Sequence, residues 1–278
     1  MSKHKITISV DSTADLGPEL MKKYGLEQVN MGIIIGDKLH RDINVTPEDI
    51  YKAVEQDNIL PKTNAALEVD YKALFEKYTE VIHINIGDKL SASGANARRA
   101  AEGMSNVHVI DSKSVSLGTG ILAIKAYELR EQGKSATEIA EQLRNLTEMQ
   151  DLGFIVKDLK YIHRGGRASG LQLLGANLLK IRPSLYMDET GTLLPGRKFK
   201  GDFAKAVKEY TTYRLESAAN ADKSRILMAH SDTCPKIVQQ MYDDIKAAGF
   251  EEIIHLPLGP TITTHCGRNT IGMAFFKK

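Results

Sequence analysis

The sequence has no tryptophan, and aromatic residues make up only 6% of its 278 positions. That is too little for the stacking platforms that hold single-stranded nucleic acid. It has two cysteines, Cys234 and Cys266, far too few for a disulfide framework. No Cys/His group has zinc spacing. The net charge is +2, which offers no electrostatic footprint for nucleic acid or an acidic membrane surface. No apolar run approaches ~18 residues, so no stable membrane insertion is expected. The N-terminal "MSKHKITISV" has too short an apolar segment for a signal peptide. A G-x-x-x-x-G-K-[ST] phosphate loop and an obvious carboxylate pair are also missing. What these absences leave is a soluble cytoplasmic protein, with 42% hydrophobic residues to build a core.

What is present reads first as alternation. "KITISV", "EQVNMGIIIG", "EVIHINIG" and "NVHVID" have strand character, and helix-like stretches separate them. Thr46 followed by Pro47 marks one helix start, and Ser135 with Glu138 forms a capping box at another. The pattern predicts βαβ units and a mostly parallel sheet over residues 1–150. Beyond 150 it changes. "IRPSLYMDETGTLLPGRKFKG" reads as a hairpin turning at Glu189-Thr190-Gly191, and strands and helices follow. The expectation is an α/β protein of two closely packed α/β domains, 1–150 and 151–278.

Some motifs are weak. "GTGILA" (Gly118–Ala123) fits a dinucleotide pattern, but six residues separate it from the preceding strand and helix follows it; helix-packing glycines explain it better. "SVSLG" (Ser114–Gly118) is one residue short of a nucleophile elbow, with Ser114 where Gly belongs. Ser91, His265 and Asp11 make a triad on paper only, since a triad is recognised by geometry.

Four stretches say more. "DSTADL" carries Asp11, Ser12 and Thr13, which N-capping would also explain; "LPKTNAA" carries Thr63, "KLSASGANA" carries Ser91 and Ser93, and "GPTITTHCGRN" carries Thr264 and His265. Each falls near a predicted strand end or helix start, the edge where open parallel sheets bind ligands. Hydroxyls, an imidazole and free helix N–H groups suit a carboxylate or a phosphate. A serine before a helix is often only a cap, and a lone histidine is often structural. The joint pattern, without evident acid–base machinery, reads as a binding site.

Taken in order, "VDSTADL", "PKT", "KLS", "IDSKSVSLGTG", "YIHRGGRAS", "LLKIRPSL" and "LGPTITTHCG" resemble the DegV family, across essentially the whole chain. The resemblance implies two α/β domains with a fatty acid between them, and a protein that is not itself an enzyme. It implies a carrier that presents the carboxylate of a long-chain fatty acid (palmitate, stearate or oleate) to a separate fatty acid kinase. It needs no cofactor beyond that ligand. By the same resemblance Thr63 and Ser91 hold the carboxylate, and His265 stands close to it. Ser93 keeps a hydroxyl, Thr264 adjoins His265, and Arg167 of "GGR" lies near the head group and the kinase-facing surface. The sequence departs from the family at Asn64-Ala65-Ala66, at Ala92-Ser93-Gly94-Ala95 and at Arg268-Asn269. The aromatic lost at Gly94 is expected to widen or reshape the site.

Residues 170–187 are rich in Leu and Ile and suit either a tunnel wall or ordinary core. Burying a chain of about sixteen carbons is worth on the order of 10 kcal/mol gross, so the head group would orient more than it binds. Arg167, Arg197, Lys198 and Lys200 suit either a kinase-facing basic surface or a solvated charged face. The other functional class is a serine-type acyl hydrolase or transferase using Ser91 and His265.

Overall fold

The computed structural model describes residues 6–167 and 181–278. The chain opens with β1 (Ile6–Asp11), α1 (Gly17–Tyr24) and β2 (Leu26–Val29). It then leaves the sheet for a small antiparallel excursion: β3 (Gly32–Ile35), β4 (Lys38–Arg41), α2 (Pro47–Glu55) and β5 (Lys62–Asn64). α3 (Glu68–Phe75), β6 (Glu80–Asn85), α4 (Ser93–Ala100) and β7 (Val107–Asp111) return to it. The result is a parallel sheet in the order β2-β1-β6-β7. Ile8, Val10, Ile82 and Ile84 are fully buried there, as expected of strands covered on both faces.

α5 (Leu117–Glu131) and α6 (Ala136–Leu146) follow, then β8 (Gln150–Val156) and α7 (Lys160–Gly165). After the second described stretch begins come β9 (Ile181–Met187), β10 (Leu193–Lys200), α8 (Phe203–Ser217) and β11 (Arg225–Ser231). α9 (Pro235–Ala247), β12 (Glu252–Pro257), α10 (Pro260–Cys266) and β13 (Thr270–Phe276) complete the chain. These strands make a mixed sheet, β10-β9-β8-β13-β11-β12, in which only β11 and β12 run parallel. Its residues alternate between two cores. Leu227 and Ala274 share a core with Ile8 and Ile121 of the first half, while Met228 and Phe275 pack with Tyr210 of α8 and Met241 of α9.

The α/β class, the parallel sheet and the hairpin are as expected; in the hairpin Met187 pairs with Leu193. The capping boxes at Thr46 and Ser135 are both formed. "EQVNMGIIIG" is not one strand. Val29 pairs with Asp11 in the parallel sheet, and Gly32 begins a strand of the small sheet. Between them Ser12 takes over Met31: its hydroxyl accepts the Met31 N–H at 3.0 Å. Thr63 lies in the short strand β5, paired with Ile33 and ahead of α3. Of the apolar run 170–187, residues up to 180 lie outside the described ones, and Ile181 opens β9.

The glycines of "GTGILA" pack. A Cβ on Gly118 would meet Ser114 Oγ at 1.9 Å, and one on Gly120 would meet the Ala14 carbonyl at 3.0 Å. They let α5 close on the β1 side.

Candidate functional site

Between the two sheets lies a cavity of about 310 Å³. Ile86, Leu90, Val115 and Leu117 line it from the first half, and Leu152, Phe154, Leu258 and Ile262 from the second. Its wall is mostly hydrocarbon. Thr63, Ser91, His265 and Arg167 stand on it as well, brought together from four distant stretches.

Thr63 Oγ1 lies 2.8 Å from His265 Nε2. The other ring nitrogen, Nδ1, is buried with no partner among the described residues. It faces Gly165, where a Cβ would lie only 2.4 Å away. A bare nitrogen lone pair left unpaired costs less than an unpaired N–H. A proton on Nε2 is donated to Thr63 Oγ1 and leaves the Thr63 hydroxyl hydrogen free for a ligand. Burial pushes the imidazole down to about 4, and the Arg167 charge adds to this. The NMR signals of the His265 ring are accordingly expected not to titrate between pH 8 and 5; a midpoint near the ordinary 6.5 would contradict the environment described.

The "GGR" turn explains itself around that ring. Gly165 lets the backbone pass against His265, and Gly166 ends α7 in the left-handed region at φ 63°. Arg167 then folds back, its guanidinium donating to the Gly165 carbonyl at 2.6 Å.

Ser91 Oγ accepts the Ser93 N–H at 3.2 Å and lies 2.9 Å from Ser93 Oγ. Ser93 does not line the cavity. It is fully buried, and its hydroxyl donates to Met31 Sδ at 3.3 Å, so it stands behind the wall that Met31 forms. Thr264 is also off the wall: its hydroxyl donates to the Pro260 carbonyl one turn back, at 2.8 Å. Gly94 does not open the site either. A Cβ there would meet Asp88 and Asn85 at 2.0 and 2.5 Å, so its role is close packing at the start of α4.

The triad on paper does not assemble. Asp11 accepts from Tyr71 at 2.6 Å and from the Ile86 N–H at 2.9 Å, deep in the first sheet, while His265 pairs with Thr63 rather than Ser91. At "SVSLG" the backbone does take the elbow-like turn, with Ser116 at φ 50° and ψ −119° entering α5. Among the described residues its hydroxyl meets no imidazole; it donates to Asp15 Oδ2 at 2.5 Å. Cys266, also on the wall, is pushed up to about 12 by burial and stays a thiol.

Sequence reasoning passed over Asp15 and Asp42. Both are buried carboxyls that make no ion pair among the described residues. Asp15 stood inside "DSTADL", but its contact with Gly259 spans 244 positions, and no local pattern carries that. Arg197 lies away from the cavity, its guanidinium over the Phe199 and Tyr213 rings. Arg268 joins α2 to the second half through Glu48, Glu55 and Asp232 and stacks 3.8 Å from the Tyr51 ring.

Two packed sheets enclosing a hydrocarbon cavity with hydroxyls and a neutral imidazole on its wall define an α/β binding protein for an amphipathic ligand. The chain belongs to the DegV family: the family model, described as "Uncharacterised protein, DegV family", matches residues 5–278. A relative from Thermotoga maritima named "Fatty acid-binding protein" is 30% identical, covering 96% of each chain. The structure of a Thermus thermophilus DegV family protein, described by its fatty acid binding, superposes with a TM-score of 0.89 at 28% identity, covering 98% of this chain and 99% of that one. The Streptococcus pneumoniae Fatty Acid Kinase (Fak) B3 protein loaded with linoleic acid shares the fold, with a TM-score of 0.85 at 23% identity over 98% and 99% of the two chains. No helix among the described residues is long and apolar enough to cross a membrane.

Proposed function

We propose that this protein binds a long-chain fatty acid non-covalently and presents its carboxylate to a fatty acid kinase. The observation that carries the reading is the Thr63–His265 pair, 2.8 Å apart, set on the wall of an otherwise hydrocarbon cavity. The acyl chain lies between domains 1–150 and 151–278. Thr63 and Ser91 donate hydrogen bonds to the carboxylate, with His265 holding Thr63 in register. His265 stays neutral, so attraction to the carboxylate falls to these donors and to Arg167. Arg167, exposed at the same cavity, is the part of the expected basic surface that a kinase would meet first. The fatty acid names carried by the Thermotoga and Thermus relatives support this reading.

Mass spectrometry under native and denaturing conditions tests it. Released fatty acid, or uptake of added palmitate, is expected; a chain that takes up none refutes the carrier role. In the Thr63→Ala, Ser91→Ala double variant the loss of two donors is worth about 1–3 kcal/mol, or about a 5- to 150-fold rise in Kd. Delivery of fatty acid to the kinase should fall with it. Undiminished delivery would sink the assignment of these two residues.

A further inference from the structure

α10 carries His265, and its two ends are tied to different halves of the molecule. Its C-terminal end is held by its own half: the Thr270 hydroxyl donates to the Cys266 carbonyl at 3.0 Å, and Ser231 Oγ donates to the Gly267 carbonyl. Its N-terminal end is held by the other half through two carboxyls. Asp15 Oδ1 accepts the N–H of Gly259, the residue before the helix, at 3.0 Å. Asp42 Oδ2 accepts from the Thr261 hydroxyl at 2.9 Å and from the Ser12 hydroxyl.

Neither carboxyl is on the cavity wall, but their partners are. Ser116, bound to Asp15, and Thr261, bound to Asp42, both line the cavity. Gly259 admits this arrangement because a Cβ there would come within 2.7 Å of Asp15 Oδ1. Burial raises the pKa of both carboxyls, and each also feels the other acids nearby, Asp42 beside Asp15 and Asp11 beside Asp42. Two unpaired acids in a core are expensive, and packed apolar residues would serve plain stability at least as well. What apolar residues cannot supply is a directed hold on one helix.

We infer that Asp15 and Asp42 are positioning residues, which fix the start of α10 against the first half so that His265 stands opposite Thr63 at the carboxylate end of the cavity. The inference rests on the fatty-acid reading and names how its head-group site is kept aligned. It separates carboxylate recognition from chain binding. Most of the hydrocarbon wall comes from elements other than α10, which adds Ile262 and Cys266, so chain binding depends on the register far less than the Thr63–His265 pair does.

The test compares palmitate with hexadecanol, which has the same chain length and no carboxylate. Affinities for both are measured on the full chain for wild type and for Asp15→Ala, Asp42→Ala, Asp15→Asn and Asp42→Asn. The alanine variants should lose about 5- to 10-fold of the preference for acid over alcohol while alcohol affinity stays within about 2-fold. The asparagine variants keep an acceptor oxygen and should restore the preference. Thr261→Val, which removes one hydroxyl and leaves both carboxyls in place, should lower it in the same direction and stands in if the alanine variants do not fold. Equal losses for acid and alcohol, or an unchanged preference in every variant, overturn the inference. A wild type that binds both ligands alike would instead overturn the head-group reading on which it rests. A wild type that binds neither would overturn the fatty-acid reading itself.

Discussion

Asp15→Asn is expected to flatten the pH dependence of stability between about pH 4 and 7. Burial, outweighing the hydrogen bonds from Ser116 and Gly259, lifts this carboxyl from its ordinary 3.8 to about 7 in the folded chain. Between those values the folded state holds a proton that the unfolded state has released. Stability therefore falls as pH rises through this window. The group's contribution is complete below the unfolded value and is lost as pH passes the folded one. A displacement of about three units corresponds to about 4 kcal/mol over the window, or on the order of 10 °C in Tm for a chain of this size. Carboxyls held below the ordinary range, such as Asp49, Glu138 and Asp222, act in the opposite sense at lower pH. The quantity to measure is accordingly the difference between wild-type and variant denaturation curves at each pH. A difference that does not change from pH 4 to 7 would mean that Asp15 titrates as an ordinary exposed aspartate.

The same residue shows where the sequence was legible and where it was not. The parallel sheet could be read because its strands are near-continuous apolar runs with helical patterns between them. The capping boxes could be read because Thr46 with Asp49 and Ser135 with Glu138 act within one turn. Thr63, Ser91, His265 and Arg167 could be nominated because their motifs recur as a set. The small sheet could not be read, since its strands are three or four residues long and their pairing is set by contacts, not by periodicity. Asp15 and Asp42 were invisible for a related reason. What matters about them is which helix end they meet, and that is fixed by packing two halves together. Ser93 and Thr264 are a different case: their chemistry suited the site, but neither lines the cavity, and each hydroxyl is turned to a protein acceptor, the Met31 sulfur in one case and the Pro260 carbonyl in the other.

Asp11→Ala should be among the most destabilising single changes in the first sheet. Asp11 ends β1, at the edge where ligands of open sheets gather, and its position invites a functional reading. Its surroundings give a structural one. Its Oδ1 accepts the Tyr71 hydroxyl at 2.6 Å and lies 3.3 Å from His83 Nε2, and its Oδ2 accepts the Ile86 N–H at 2.9 Å. On the other side of the imidazole, Ser9 Oγ is 2.9 Å from His83 Nδ1, and the Tyr71 and Phe75 rings close around it. Asp11, His83, Ser9 and Tyr71 have no exposed surface, so water cannot replace a missing partner. Truncation at Asp11 leaves the Tyr71 hydroxyl and the Ile86 N–H without their acceptor in a dry core, and takes the carboxylate away from the His83 ring. The expected cost is about 3–5 kcal/mol. Tyr71→Phe removes one donor and leaves Asp11 two neighbours, so it should cost about 0.5–1.5 kcal/mol. Urea denaturation of the two variants separates the outcomes. A clear gap between them supports a network in which the carboxylate is the hub. Equal and small losses would mean that the four residues pack without depending on one another. Because β1 leads directly into Ser12 and Asp15, a loss at Asp11 should also loosen the hold on α10, and the preference for acid over alcohol should weaken together with stability.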